Sequence, residues 1–243
     1  MSLNKTVIDG RINILESIPN NMSKVAILIH GFGESKERIS DHLDVLNKNG
    51  IGIIGFDLPC HGEDSSNDHD FKLSTSIDYL NKVIYYSKKY NVPIILIGTS
   101  FGGYVLLNRI NNVNEHFYKV FLKYPAVNFY DITKSKLGVD IDYFNNHEYY
   151  EFQNGKKMYY ETVLEFKNSD IMEYFNKHNN DLFIIHGDKD ETVYLHDIEY
   201  FSKKNNIKLY VVNGAPHGMK NYMDIVNDKL INFINGDINE ERK

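Results

Sequence analysis

The sequence predicts an α/β fold with a mostly parallel central sheet. Two observations predict it: short, continuous apolar runs recur along the chain, and amphipathic helical patterns lie between them. Continuous apolar runs are typical of strands that are buried on both faces of a parallel sheet. Their alternation with helices indicates βαβ units, in which helices cover both faces of the sheet.

The first two strands are predicted to form an antiparallel hairpin. Residues 6–8 and 11–18 flank Asp9-Gly10. This dipeptide favours a type I′ turn, because both of its residues tolerate a positive φ. We therefore expect an N-terminal hairpin ahead of the parallel strands.

Six further segments are predicted as strands of the main sheet. Four are strongly apolar and two are weaker, and together they cover residues 25–29, 51–56, 94–97, 119–122, 182–185 and 208–212. Apolar residues at helical spacing lie over 39–46, 77–84, 104–110 and 222–234. This order of elements places a helix between most pairs of strands.

Residues 127–178 break the alternation. They contain no long apolar run, and twelve of these 52 residues are Phe or Tyr, against twenty of the other 191. Asn154-Gly155 predicts a second hairpin, which a helix over 160–166 follows. We divide the chain into a core, residues 1–126 and 179–243, and an inserted aromatic-rich cap, residues 127–178.

Composition and charge exclude several classes of partner. The 243 residues carry a net charge of −6 and no long basic run, which argues against binding to a nucleic-acid backbone. Residues 1–24 contain no apolar signal-peptide core, and no apolar run approaches the roughly 20 residues that cross a bilayer. The single cysteine, Cys60, cannot form an internal disulfide. We expect a cytoplasmic protein with no membrane span.

No motif indicates a metal or another cofactor. The sequence lacks an H-E-x-x-H motif, a Cys/His cluster and a G-x-x-x-x-G-K-[ST] phosphate loop. The acidic loop at 64–70 lacks the glycine and the terminal Glu of an EF-hand, so we interpret it as a solvated loop.

The segment Gly98-Thr99-Ser100-Phe101-Gly102 carries the strongest functional signal. It directly follows a predicted strand and precedes a predicted helix. In that position G-x-S-x-G is typical of a nucleophile elbow, a strained turn that needs small residues two positions before and after the serine. The helix directs its free N–H groups toward any oxyanion formed at the serine. Ser100 is therefore the predicted nucleophile.

A serine nucleophile needs a base and a group that orients the base. His217 follows the strand at 208–212, and both Asp188 and Asp190 follow the strand at 182–185. Loops that leave the carboxyl ends of strands form the edge where open α/β sheets bind ligands. These residues are therefore expected to meet Ser100.

With these motifs in order, the sequence resembles the α/β-hydrolase superfamily over nearly the whole chain, from His30-Gly31-Phe32 to Pro216-His217-Gly218. The resemblance implies the α/β-hydrolase fold and a triad. In it, Ser100 is the nucleophile, His217 the general base, and Asp190 the carboxylate that orients His217.

The same resemblance assigns the remaining site residues. The family pattern H-G-x-x-D-x-x-V selects Asp190, and it leaves Asp188 to hydrogen-bond the turn. The oxyanion hole is implied to consist of the backbone N–H groups of Phe32 and Phe101.

One motif departs from the family pattern. Residues 57–62 resemble the Asp-x-Pro-Gly-His-Gly turn, but Cys60 stands where glycine is usual. We expect Cys60 to be a packed side chain rather than a reactive thiol. His30 and His186, which end two strands, are expected to support the turns of the site.

The motifs together predict a serine hydrolase that cleaves small carboxylic esters without a cofactor. The chain is similar to compact carboxylesterases, including cinnamoyl and feruloyl esterases. A thioesterase or peptidase on the same triad, and a non-catalytic ligand-binding protein on the hydrolase scaffold, are the alternatives. The cap aromatics either form a small core or line a pocket over Ser100. The sequence assigns no oligomeric state.

Overall fold

The computed structural model describes residues 2–175 and 180–237, and strands alternate with helices along them. The strands are β1 (Asn4–Ile8), β2 (Ile12–Ser17), β3 (Lys24–Ile29), β4 (Ile51–Phe56), β5 (Ile94–Thr99), β6 (Lys119–Lys123), β7 (Tyr149–Glu151), β8 (Lys157–Tyr159), β9 (Leu182–Gly187) and β10 (Lys208–Val212). The α-helices are α1 (Leu43–Lys48), α2 (Leu73–Ser87), α3 (Phe101–Asn112), α4 (Phe129–Ile132), α5 (Tyr160–Asn168), α6 (Ile171–Tyr174), α7 (Leu195–Asn205) and α8 (Met223–Asn235).

Eight of these strands form one sheet in the order β1-β2-β4-β3-β5-β6-β9-β10. The pairs β1/β2 and β2/β4 are antiparallel, and every other pair in this sheet is parallel. The predicted fold class and all six predicted strands of the main sheet are confirmed. The N-terminal hairpin is confirmed as well, with φ of 51° at Asp9 and 71° at Gly10.

The side chains of β3 explain why its sequence is apolar throughout. Val25, Ile27 and Ile29 pack in one core with residues of α2 and α3, whereas Ala26 and Leu28 pack in a second core with residues of α8. A strand covered on both faces leaves no position for a polar side chain. The helices thus form one layer on each side of the sheet.

Two helical regions differ from the prediction. The segment around 39–46 is a 3₁₀ turn at Lys36–Asp41 that α1 continues, rather than one α-helix. Helix α7 was not predicted, because it buries only Ile198, Phe201 and Ser202 and its apolar periodicity is correspondingly weak.

The segment between β6 and β9 contains α4, a π-helical turn, a 3₁₀ turn, the two-stranded sheet β7/β8, α5 and α6. The predicted hairpin is confirmed, with Tyr149 opposite Tyr159. The predicted helix is confirmed as α5. The proposed end of the cap, between residues 178 and 179, lies outside the described residues, and the division into core and cap stays a prediction.

A buried ion pair fixes the turn after β4. The Lys36 side chain is 1% exposed, and its Nζ lies 2.7 Å from Oδ2 of Asp57, which is fully buried, and 2.9 Å from Oε2 of Glu63. The Lys36→Met variant should lose about 3 kcal/mol of unfolding free energy, because it leaves the Asp57 carboxylate buried without its counter-ion. Urea unfolding measures the loss.

Lys5→Met is the matched control, since Lys5 also pairs with Glu63 at 3.3 Å but is 61% exposed. An exposed pair contributes at most about 1 kcal/mol. Equal losses in the two variants would contradict a special role of the buried pair.

Candidate active site

Ser100 lies at the turn between β5 and α3 in a strained backbone conformation, with φ of 48° and ψ of −114°. A positive φ is unusual for a residue other than glycine. Surrounding hydrogen bonds hold it there: the Ser100 N–H donates to the Lys123 carbonyl at 3.0 Å, and its carbonyl accepts from Ala126 N–H at 3.0 Å. The turn thus presents the Ser100 side chain at the carboxyl edge of the sheet.

The two glycines of the motif are required by close backbone contacts. A Cβ on Gly102 would lie 2.3 Å from the carbonyl oxygen of Ile29, and a Cβ on Gly98 would lie 2.8 Å from Cα of Gly103. Any side chain at either position would separate α3 from the strands beneath it.

Gly102→Ala is expected to lower the unfolding free energy by about 3 kcal/mol, the upper part of the range for overpacking a core. The neighbours are backbone carbonyls at the end of β3, so they cannot rotate away. Asn112→Ala, at the exposed end of the same helix, should leave stability within about 0.5 kcal/mol. Thermal unfolding measures the stability of both variants. A Gly102→Ala protein as stable as the wild type would show that α3 can shift away from the end of β3 at little cost.

The structure brings Ser100, His217 and Asp190 into one hydrogen-bonded chain. His217 Nε2 lies 3.1 Å from Ser100 Oγ, and His217 Nδ1 lies 2.7 Å from Asp190 Oδ2. An ionised carboxylate can only accept, so the imidazole proton is on Nδ1 and the Nε2 lone pair faces the serine hydroxyl. This is the arrangement in which an imidazole can remove the proton of Ser100.

Asp190 is held as an ionised acceptor. Its side chain is buried, and Oδ1 accepts hydrogen bonds from the N–H groups of Thr192 at 2.8 Å and Val193 at 2.9 Å. Burial raises the pKa of Asp190, but the hydrogen bond and charge of His217 and these two N–H donors outweigh it, and the pKa lies below its ordinary value.

Asp188 lies at a different place in the same loop. Its Oδ1 accepts a hydrogen bond from Gly214 N–H at 2.6 Å. The contact ties the loop after β9 to the loop after β10, as predicted for a turn-supporting residue. The structure therefore brings Asp190, and not Asp188, to His217.

Two buried histidines support neighbouring turns. His30 Nε2 accepts from Leu58 N–H at 3.0 Å, and His186 Nε2 lies 2.9 Å from the Val193 carbonyl. Burial lowers the pKa of His30 to about 3, so its imidazole is neutral. Their predicted supporting role is confirmed.

Cys60 occupies the left-handed region with φ of 64°, which explains why glycine is usual at this position. Its N–H donates to Asp64 Oδ1 at 3.0 Å and to Ser66 Oγ at 3.0 Å, contacts that hold the strained turn. Burial raises the pKa of the thiol to about 11. The prediction that Cys60 is a packed side chain is confirmed, since it is buried and its Sγ donates to the Asn67 carbonyl at 3.2 Å. Its lack of reactivity stays a prediction.

The two residues assigned to the oxyanion hole lie in the two turns next to Ser100. Phe101 is the first residue of α3, where the N–H has no partner inside the helix. The turn that carries Phe32 is close, since a Cβ on Gly31 would lie 3.5 Å from Ser100 Cβ. Assignment of both N–H groups to an oxyanion stays a prediction.

Residues 127–178, the predicted cap, contribute aromatic rings of two kinds. Phe129 and Phe166 are buried, and their ring centroids lie 4.6 and 5.9 Å from that of Phe101. The Phe152 ring, which follows β7, lies 5.1 Å from the ring of Phe32, which is 40% exposed. The buried rings belong to the same core cluster as residues of α2 and α3, and the Phe152 ring packs on that of the residue after Gly31.

Sequence reasoning did not single out two residues at the site. The ring of Tyr124 packs edge-on at 4.7 Å from that of His217. Glu34 Oε2 accepts from Gly31 N–H at 2.9 Å. Their positions in the sequence could have indicated them. Tyr124 directly follows β6, and Glu34 lies in the turn after β3, both at the carboxyl edge of the sheet where ligands bind.

Within 2–175 and 180–237, no group of three or more His, Cys, Asp or Glu side chains could hold a metal ion. None of the helices in these ranges combines the length and the apolar character needed to cross a bilayer.

A family profile and a curated relative match this chain in sequence. The profile of the prolyl oligopeptidase family matches residues 67–241. A Mycoplasma genitalium protein named "Putative esterase/lipase 2" is 35% identical over 95 residues, which are 38% of this chain and 35% of that relative. The chain thus aligns with about a third of the relative's length.

Solved structures show the fold. Est1E from Butyrivibrio proteoclasticus, solved with ferulic acid bound, superposes with a TM-score of 0.85 at 23% identity and covers 96% of this chain and 98% of its own. The mouse alpha/beta hydrolase domain-containing protein 10 superposes with a TM-score of 0.72 at 15% identity and covers 97% and 99%. These likenesses establish the α/β-hydrolase fold.

Proposed function

The chain belongs to the prolyl oligopeptidase family, and we propose that it is a serine hydrolase that cleaves carboxylic esters through an acyl-enzyme on Ser100. One observation carries the proposal: the hydrogen-bonded chain from Ser100 through His217 to the buried Asp190, with 3.1 and 2.7 Å between its members. Nucleophile, base and orienting acid in contact are the requirement for acyl transfer.

The geometry supports a two-step reaction. His217 Nε2 takes the Ser100 proton as Oγ attacks the acyl carbon, and the negative oxygen forms between Phe32 N–H and Phe101 N–H. The protonated His217 then gives its proton to the departing alcohol as the ester C–O bond breaks. In the second step His217 activates a water that attacks the acyl-enzyme and releases the acid. Asp190 stabilises the imidazolium in both steps.

Several features favour a small ester as substrate. The rings of Phe32 and Phe152 pack on each other, and Phe32 follows Gly31, where an added Cβ would lie 3.5 Å from Ser100 Cβ. This pair offers an apolar surface for an acyl or aryl group. The likeness to Est1E with ferulic acid bound and to an esterase/lipase supports the same class. A cytoplasmic location and freedom from cofactors are part of this proposal.

The test is hydrolysis of p-nitrophenyl esters of increasing chain length, with methyl ferulate beside them. We expect ester turnover that stops when a fluorophosphonate has labelled Ser100 at one equivalent per chain. Absence of both turnover and label would favour a non-catalytic ligand-binding protein. A thioester analogue in the same series distinguishes a thioesterase.

The family assignment favours a peptidase as the second candidate. Matched p-nitrophenyl esters and p-nitroanilides of one acyl group separate the two. We expect faster turnover of the ester, and a preference for the amide would assign the chain to peptide hydrolysis.

A further inference from the structure

Glu34 closes the turn beside Ser100 with two reciprocal hydrogen bonds. Its Oε2 accepts from Gly31 N–H at 2.9 Å, and its own N–H donates to the Gly31 carbonyl at 3.2 Å. A Cβ on Gly31 would lie 2.9 Å from Glu34 Oε2 and 3.5 Å from Ser100 Cβ, so the carboxylate and the nucleophile flank the same glycine. Phe32, the next residue, carries the proposed oxyanion donor.

A series of side chains with alternating charge joins Glu34 to Lys123 at the end of β6. Arg38 Nε lies 3.2 Å from Glu34 Oε1 as an ion pair, and Arg38 Nη2 lies 2.6 Å from Asp41 Oδ2. Asp41 Oδ2 lies 3.3 Å from Nζ of Lys123, whose side chain is 1% exposed. The Lys123 carbonyl accepts the hydrogen bond from Ser100 N–H. In this series of four charged residues, each carboxylate is paired with a cation.

Tyr124, the residue after Lys123, contacts the loop of His217. Its ring packs on the imidazole, and its hydroxyl donates to the Gly218 carbonyl at 3.3 Å. Burial raises the pKa of Tyr124, and the charges of Glu34 and Arg38 act on it in opposite directions. Glu34 flanks the glycine beside Ser100, and an ion pair joins Arg38 to Glu34.

We propose that Glu34 and Arg38 are positioning residues for the oxyanion hole, an inference that rests on the proposed function. Glu34 fixes the turn of residues 31–34 so that the Phe32 N–H faces the developing oxyanion. Because the Glu34 carboxylate flanks the same glycine as the nucleophile, it also repels that negative oxygen, and like charges in a partly buried site interact strongly. Arg38 offsets the repulsion. Glu34 thus positions the turn through the oxygen that accepts from Gly31 N–H, and Arg38 neutralises the Glu34 carboxylate through its positive charge.

Four variants test the two parts. In Glu34→Ala, kcat should fall about tenfold with KM within about twofold, less than the 10²–10³ that loss of a whole oxyanion donor costs. Glu34→Gln keeps an oxygen acceptor and should retain kcat within about threefold of the wild type. Arg38→Met should lower kcat about tenfold, and the double variant Glu34→Gln/Arg38→Met should regain most of it, because the unbalanced carboxylate is gone.

The rate of inactivation by diethyl p-nitrophenyl phosphate gives the second readout. Its phosphoryl oxygen occupies the position of an oxyanion once Ser100 has displaced p-nitrophenolate, so the inactivation rates of the four variants should follow kcat. A merely structural role would lower stability without this parallel. Glu37→Ala is the matched control, since its exposed carboxylate contacts Ser35 and Lys36 and should leave both rates unchanged.

Three results would overturn the proposal. They are a Glu34→Ala kcat within twofold of the wild type, a Glu34→Gln protein as impaired as Glu34→Ala, and a double variant no faster than Arg38→Met. Each presupposes that Ser100 is the nucleophile. Activity that survives Ser100→Ala would instead refute the proposed function, so the two failures are distinguishable.

Discussion

Ser100→Ala is expected to reduce kcat for p-nitrophenyl acetate by about 10⁵-fold or more, the magnitude seen when a serine nucleophile is removed from a triad. The hydroxyl is the only group that His217 Nε2 faces at 3.1 Å in the described site, so no neighbouring residue can replace it. Substrate binding should change little, because Ala retains the backbone of the elbow. Steady-state kinetics with purified protein measure the effect.

Stability provides the control for this variant. Ser100 has a φ of 48°, and Ala at the same φ loses only the side-chain oxygen. Far-UV circular dichroism and thermal unfolding should therefore match the wild type closely. Turnover within tenfold of the wild type in a folded Ser100→Ala protein would exclude Ser100 as the nucleophile.

Asp190→Asn is expected to lower kcat by about 10⁴-fold, the effect of this exchange in a serine triad. An Asn amide facing His217 Nδ1 donates a hydrogen bond where the carboxylate accepts one. The imidazole proton then moves to Nε2, which can no longer take the proton of Ser100. The same assay measures kcat, and the fold should persist because Asn still offers an oxygen to Thr192 N–H.

Asp188→Asn is the matched control two residues away. Its Oδ1 accepts only from Gly214 N–H among the contacts described for this side chain, and an Asn oxygen can accept the same bond. We expect kcat within about threefold of the wild type, as for a neutral exchange in a turn. Equal losses in Asp188→Asn and Asp190→Asn would mean that the loop as a whole, and not one carboxylate, supports His217.

The apolar pattern predicted the sheet because a strand buried on both faces must be apolar at nearly every position. A run such as 25–29 is apolar at every position, and β3 is indeed covered on both faces. The elbow was predictable for a similar reason, since Gly98 and Gly102 avoid backbone collisions that the motif itself implies. Where one physical requirement fixes the residue type, sequence and structure agree.

Other features depend on contacts between distant segments. Asp188 and Asp190 both follow β9, and strand periodicity does not distinguish them. The family pattern selects Asp190, and the turn geometry brings that carboxylate to His217. The link from Glu34 through Arg38 to Lys123 joins residues far apart in sequence, so no local pattern announces it. Helix α7 was missed because few of its side chains are buried.

The most direct measurement of the central claim is mass spectrometry of the protein quenched with acid during turnover of p-nitrophenyl acetate. The account predicts one acetyl group per chain, mapped to the peptide that contains Ser100, together with a burst of one equivalent of p-nitrophenol. Sustained turnover with no acetyl group on Ser100, or with the acetyl group on another residue, would contradict it.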